Sequence, residues 1–321
     1  MEEQRPTPPQ SSREWHLIEK LVLSMQDEQK KQRRWGNIFK GLTFLYLFAL
    51  LLLVVIPRGA GNSLSVAEPH TAFVDVTGVI APDAKASADR IVTGLREAFE
   101  SDNARAVVLR INSPGGSPVQ SSYVYAEIKR LRGEYPDKKL YAVITDIGAS
   151  GAYYIASAAD EIYADPASIV GSIGVIMAGF GFTDAIDKLG VERRVMTAGD
   201  NKAIMDPFKP VEPGQREHLQ TMLDEIHVQF INAVKEGRGE RIDAEQHPEI
   251  FSGLFWTGER ARSLGLVDGL ASPGQVARDV VGEEKIVDYT PRENPWKQLL
   301  GDFGASVGAG IAGSIQGPLL K

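Results

Sequence analysis

The chain contains no cysteine among its 321 residues. That excludes a disulfide framework, a thiolate-ligated zinc or iron–sulfur site, and a cysteine nucleophile. Histidine is scarce, at five residues, so imidazole bases and metal ligands are few. Basic charge is in short supply as well: 35 Lys and Arg against 42 Asp and Glu leave a formal net charge of −7. No basic footprint for nucleic acid remains, and no nucleic-acid partner is expected. What is present, 43% hydrophobic and 24% charged residues, is the composition of a folding chain rather than a disordered one.

Long apolar runs are absent with one exception. Residues 41–56 read GLTFLYLFALLLLVVI, without a charge. As a helix this covers about 24 Å, against the roughly 30 Å of a bilayer core. Starting at Ile38, with Lys40 snorkelling to the interface, nearly closes the gap. Every face is apolar, whereas a core helix would keep a polar stripe. A transmembrane signal anchor over 41–57 is therefore expected. Lys30, Lys31, Arg33, Arg34 and Lys40 crowd its N-terminal flank, and Arg58 stands almost alone beyond it. The positive-inside rule then puts residues 1–40 in the cytoplasm and the rest outside. Cleavage after Ser65-Val66-Ala67 is disfavoured by the forty-residue leader. Residues 58–70 read as a linker, 14–35 as a charged helix, and 291–321 as a Gly/Ala-rich tail.

From residue 71 strand and helix patterns alternate. Strands are expected at 72–80, 106–111, 140–145, 161–164, 175–178 and 192–196. Helices are expected at 87–101, 119–132, 151–159, 184–189, 213–236, 257–264 and 273–281. The pattern implies one α/β domain over 71–290 with a largely buried sheet.

Glycine-flanked segments interrupt this pattern. In INSPGG (111–116) a buried strand ends, proline fixes a turn, and paired glycines let backbone approach a ligand. A glycine N–H there can serve an oxyanion, or the segment is an ordinary turn. In DIGASGAYY (146–154) Ser150 stands between small residues and opens a helix. It reads equally as a nucleophile or as a helix N-cap. GSIG (171–174) and GDNK (199–202) follow. A serine nucleophile needs a base. None of His16, His70, His218, His227 and His247 sits in a glycine-rich loop at a strand end. A lysine can serve when burial leaves it neutral. Lys202, among Gly, Asn, Ala and Ile, has a plausible partly buried setting, although a solvated surface charge is the usual state of a lysine.

Taken together, INSPGG (111–116), GASGAYYIASAAD (148–160), IYADPASIVGSIGVI (162–176), GDNKAIMDPFKP (199–210), LDEIHVQFINAVKEGRG (223–239) and TGERARSLGLVDGL (257–270) resemble the serine peptidases of the signal peptide peptidase A type, peptidase family S49. Single-domain, membrane-anchored members are the best match. The resemblance implies a ClpP/crotonase-type α/β fold of repeated ββα units, behind an N-terminal transmembrane helix. It implies a homo-oligomer, ring or dome, without cofactor or metal. Residue by residue it makes Ser150 the nucleophile, Lys202 the general base and Ser172 the lysine-orienting hydroxyl. Gly115 becomes the oxyanion-hole donor, with Gly151 as the neighbouring candidate. Ala152 departs from the glycine many relatives carry. The function implied is a membrane-anchored endopeptidase with a Ser–Lys dyad. It would act on remnant signal peptides or other hydrophobic peptides at the outer face of the cytoplasmic membrane. Alternatives are a non-catalytic anchored scaffold of the same fold, an α/β-hydrolase using His218 or His227, and an acyl-CoA enzyme of the crotonase kind.

Overall fold

The computed structural model describes residues 11–55 and 68–291. The chain divides into two units, Met1–Leu64 and Ser65–Lys321. In the first, one helix, α1, runs Ser11–Val55. Among the described residues no helix is long and apolar enough to cross a membrane. The described side chains of the apolar run end at Leu51, which is about 16 Å of helix from Gly41. Most of the expected linker and nearly all of the tail lie outside the described residues.

The second unit is a sheet with helical crossovers. Its elements are β1 (His70–Thr77), α2 (Ala88–Glu100), β2 (Ala104–Ser113), α3 (Pro118–Glu134), β3 (Leu140–Ala149), α4 (Gly151–Ala156) and β4 (Glu161–Ala164). They continue with β5 (Ile169–Gly171), α5 (Thr183–Lys188), α6 (Pro213–Arg238), β6 (Phe255–Thr257), α7 (Gly258–Ser263) and β7 (Gly269–Leu270). Last come α8 (Pro273–Gln275), a π-helical turn at Val276–Val281, and β8 (Ile286–Asp288). The strands lie in the order β6-β5-β3-β2-β1-β8, with β4 beside β3 and β7 beside β4. All pairs are parallel except β5 with β6.

The apolar periodicity explains this layering. Ile91, Leu95, Ala98 and Phe99 form the stripe of α2 and are buried. They pack with Val74, Val76, Leu109 and Ile111 of the sheet and with Val124, Ile128 and Leu131 of α3. Helix α6 joins this core only by its last turns. Phe230, Ala233, Val234 and Arg238 are its buried residues. The Arg238 guanidinium, side chain 0% exposed, donates to Gly265 O at 2.8 and 3.0 Å and to both Asp268 oxygens at 2.8 and 3.0 Å. Asp268 also accepts the Ile162 N–H at 2.7 Å. Burial pushes the Asp268 carboxyl up, but the bonds from Arg238 and Ile162, with the charges of Arg238 and Arg241, outweigh it and hold the carboxyl below its ordinary value.

Two expected strands are absent. Residues 175–178 and 192–196 have no regular structure. The strand pairing with the C-terminal end of β3 is instead Ile169–Gly171, with Gly171 opposite Ala149. The apolar character of the misread segments is real, but it is not used in this sheet. No residue from Gly174 to Gln229 is buried. Ile176, Phe180 and Met196 are 87%, 82% and 99% exposed.

Candidate active site

The site begins with an irregularity in β3. Ile111 pairs with Ile144, but Ser113 pairs with Gly148, so β3 carries two extra residues over the same stretch of β2. Such a bulge bends a strand and re-aims its end. Thr145 Oγ1 donates to Ile111 O at 3.1 Å, and Asn112 Nδ2 donates to Asp146 Oδ2 at 2.6 Å, pinning it in place. Below the bulge β3 pairs with β4; beyond it, with β5.

Ser150 follows directly, with φ 53° and ψ −124°. A non-glycine residue at positive φ costs about 1–3 kcal/mol and persists only where its surroundings fix it. Here the Ser150 N–H donates to Gly171 O at 2.8 Å, and its carbonyl accepts the Tyr154 N–H at 3.0 Å. Ser150 occupies the N-cap position of α4, yet its hydroxyl makes no capping bond. The structural use of a serine at a helix start is thereby excluded. The half-buried hydroxyl is left without a hydrogen-bond partner among the described residues.

The SPGG turn packs against this serine through backbone alone. A Cβ added to Gly115 (φ 95°) would stand 2.8 Å from the Ser150 Cβ and 2.7 Å from the Gly151 nitrogen. One added to Gly116 (φ 152°) would stand 2.1 Å from Ile80 O. Both positions therefore require glycine. The turn is braced by Ile80, whose N–H donates to Gly115 O at 2.9 Å and whose carbonyl accepts the Ser117 N–H at 2.8 Å.

The two glycine N–H groups of the turn differ in their hydrogen bonding. The Gly115 N–H already donates to the buried Ser113 Oγ at 3.1 Å, so it is not the free donor expected. The Gly116 N–H has no acceptor among the described residues. It lies next to Gly151, where an added Cβ would be 3.3 Å from the Gly116 nitrogen. The Gly151 N–H opens α4 and so has no acceptor within the helix. Two unengaged backbone donors thus stand together beside Ser150.

Ser172 lies alongside. It follows Gly171, the partner of Ala149, just as Ser150 follows Ala149, and it too has positive φ, 55°. Its N–H donates to Leu254 O at 2.7 Å. The next carbonyl, of Ile173, accepts from His227 Nε2 at 3.1 Å. Two strained serines therefore end adjacent parallel strands. Lys202 is not joined to them. It is exposed, in a turn where its N–H donates to Gly199 O at 3.1 Å, and its ammonium makes no hydrogen bond or ion pair among the described residues. The partly buried setting expected for it is not present within one chain, because the segment around it has no core.

Burial raises the Tyr153 hydroxyl, Asp268 raises it further and Arg238 partly opposes this. Burial and the Glu236 charge raise Tyr154. The Tyr153 hydroxyl donates to Leu266 O at 2.7 Å, and the Tyr154 ring packs against Tyr125 and Phe230. No group of His, Asp and Glu able to hold a metal ion occurs among the described residues.

The profile of peptidase family S49 matches residues 134–286, which include Ser150, Ser172 and Lys202 but not the SPGG turn. A "putative protease" of Methanocaldococcus jannaschii is 31% identical over 246 residues, 74% of this chain and 77% of that protein. The chain belongs to peptidase family S49. The chloroplastic serine protease SPPA of Arabidopsis thaliana is 27% identical over 247 residues, 74% of this chain and 36% of that protein. A Na(+)/H(+) antiporter NhaA of Brucella melitensis is 50% identical over 190 residues, 59% of this chain. The chain spans a quarter of that protein's length, and the transport its name states is a property of that protein.

Proposed function

We propose that this S49 chain is a membrane-anchored serine endopeptidase that cleaves remnant signal peptides or other hydrophobic peptides at the outer face of the cytoplasmic membrane. The observation that carries the reading is the state of Ser150. It is strained, uncapped, and flanked by the free N–H groups of Gly116 and Gly151. The parallel sheet with helical crossovers is in keeping with the ClpP/crotonase type of fold, and the apolar run at 41–56 supports the anchor.

In this reading Ser150 Oγ attacks the peptide carbonyl while a neutral lysine takes its proton. The Gly116 and Gly151 N–H groups hold the oxyanion. The lysine then protonates the leaving amine, and water hydrolyses the acyl-enzyme. Ser172 orients the lysine.

The lysine is Lys202, delivered by a neighbouring copy of the chain. Two features support this. Lys202 is exposed and unpaired, and the segment bearing it presents Ile176, Phe180 and Met196 to solvent. Large apolar side chains exposed to this degree in one segment are what a protein–protein contact would cover.

Mixing experiments test the dyad and its source together. Ser150→Ala and Lys202→Ala chains should each be inactive towards a quenched-fluorescence peptide of Ala and Leu. Mixed one to one before assembly, about a quarter of sites join an intact serine to an intact lysine, and activity returns to that extent. A mixture that stays inactive refutes delivery from a neighbour. A single variant with near-native turnover refutes the dyad.

A further inference from the structure

The turn carrying Ser172 is held at three successive residues, each by a different part of the fold. Gly171 O accepts from Ser150 N–H at 2.8 Å, Ser172 N–H donates to Leu254 O at 2.7 Å, and Ile173 O accepts from His227 Nε2 at 3.1 Å. The first two bonds are backbone to backbone. The third is the only one made by a side chain, and it reaches the turn from α6, whose other end follows directly on the Lys202 segment. There Gln215 Nε2 donates to Asn201 Oδ1 at 3.2 Å, in the turn of Lys202.

We infer that His227 is a positioning residue of this peptidase: by donating Nε2–H to the Ile173 carbonyl it fixes the positive-φ conformation that aims the Ser172 hydroxyl. The inference rests on the reading of Ser172 as the group that orients the lysine. His227 touches neither Ser150 nor the peptide in this scheme. It belongs to α6, and it lies 54 residues along the chain from the carbonyl it holds. Ile173 is fully buried, so its main chain has little room to find another donor. Without the imidazole, a strained serine beside the nucleophile loses the restraint on its C-terminal side. Its hydroxyl then samples orientations that no longer meet the lysine.

The test uses the full-length protein in detergent. His227→Leu keeps bulk and removes the donor; His227→Gln keeps a donor and removes the ring. Misplacing a catalytic partner by about 1 Å can cost up to about 10²-fold. His227→Leu should therefore lower kcat by roughly tenfold with KM within about twofold. The rate of Ser150 labelling by a fluorophosphonate should fall in parallel, and His227→Gln should recover most of both. Should leucine prevent folding, His227→Ala makes the same comparison with glutamine. Native labelling and kcat in the folded Leu or Ala variant overturn the inference while leaving the dyad intact. A Gln variant as inactive as Leu overturns it too, since the ring itself is then required, as for a histidine base. Failure of the underlying reading shows elsewhere, as Ser150 labelling that is indifferent to Lys202→Ala.

Discussion

Gly116→Ala separates a catalytic glycine from a merely tight turn. At φ 152° the added methyl would stand 2.1 Å from Ile80 O, 2.8 Å from Ile80 N and 2.9 Å from Ile80 C. These are backbone atoms in a bridge, so they cannot swing aside. Relief requires opening the Ile80 N–H to Gly115 O bond or the Ser117 N–H to Ile80 O bond, each worth about 1 kcal/mol net. Backbone strain adds about 1–3 kcal/mol, so a loss of roughly 2–4 kcal/mol is expected. Gly78→Ala is the matched control. Its φ is 85°, but nothing lies within 4 Å of the added Cβ, so only the left-handed backbone cost of about 1–2 kcal/mol applies. Stability is read by thermal denaturation of the full chain. Turnover is read per active site, counted by fluorophosphonate labelling. If the Gly116 N–H holds the oxyanion, folded Gly116→Ala protein should lose about 10²–10³ in kcat, while Gly78→Ala keeps native turnover. A folded Gly116→Ala enzyme with kcat within about threefold of native would refute the donor assignment.

The remaining expectations concern assembly and the core. Met196→Asp or Ile176→Asp should shift the protein to smaller species in analytical ultracentrifugation and lower activity, with the thermal midpoint of the isolated chain little changed, because neither side chain is buried. Arg238→Ala should destabilise the domain by about 3–5 kcal/mol in urea denaturation, since it leaves the Asp268 carboxylate and the Gly265 carbonyl without their main partner. Asp268 has its carboxyl held below the ordinary range in the fold. Its contribution is therefore fully present above the unfolded value, near pH 4, and is lost as pH falls through the lower folded value. With the neutral-pH offset between the two subtracted, the native chain should therefore lose stability more steeply below about pH 4 than Asp268→Asn does; acid limbs of equal slope would refute this.

Much of the fold was legible because its signals are local. The apolar spacing of α2 and the Pro-to-Gly span of α6 mark elements that appear within a residue or two of their expected bounds. Among the short strands Glu161–Ala164 appears at its expected bounds, but three residues such as Ile169–Gly171 carry no periodicity and were not legible. Residues 175–178 and 192–196 looked like strands because they are rich in Val, Ile and Met. Their apolar side chains face solvent in the single chain, and a sequence does not say whether an apolar residue is meant for its own core or a neighbour's surface. The same ambiguity misplaced Lys202. At the serine the sequence left a cap and a nucleophile equally open, and only the structure shows that the hydroxyl makes no capping bond. Gly115 and Gly116 are indistinguishable as letters. What tells them apart is a hydrogen bond to Ser113, two residues back.

Helix α6 is built as a cantilever. Its last turns are clamped in the core by Phe230, Val234 and the Arg238–Asp268 pair. From Pro213 to Gln229, about 25 Å of helix, no residue is buried. A beam fixed at one end transmits small displacements of its free end into torque at the clamp. Whatever meets the exposed half of α6 therefore acts with leverage on the Ile173 carbonyl, close to the pivot, and on the Asn201 turn, out at the tip. Small differences in how that half is seated would be enlarged at the tip and damped at the pivot, so the lysine-bearing turn is the adjustable part of this fold and the serine-bearing turn the fixed one.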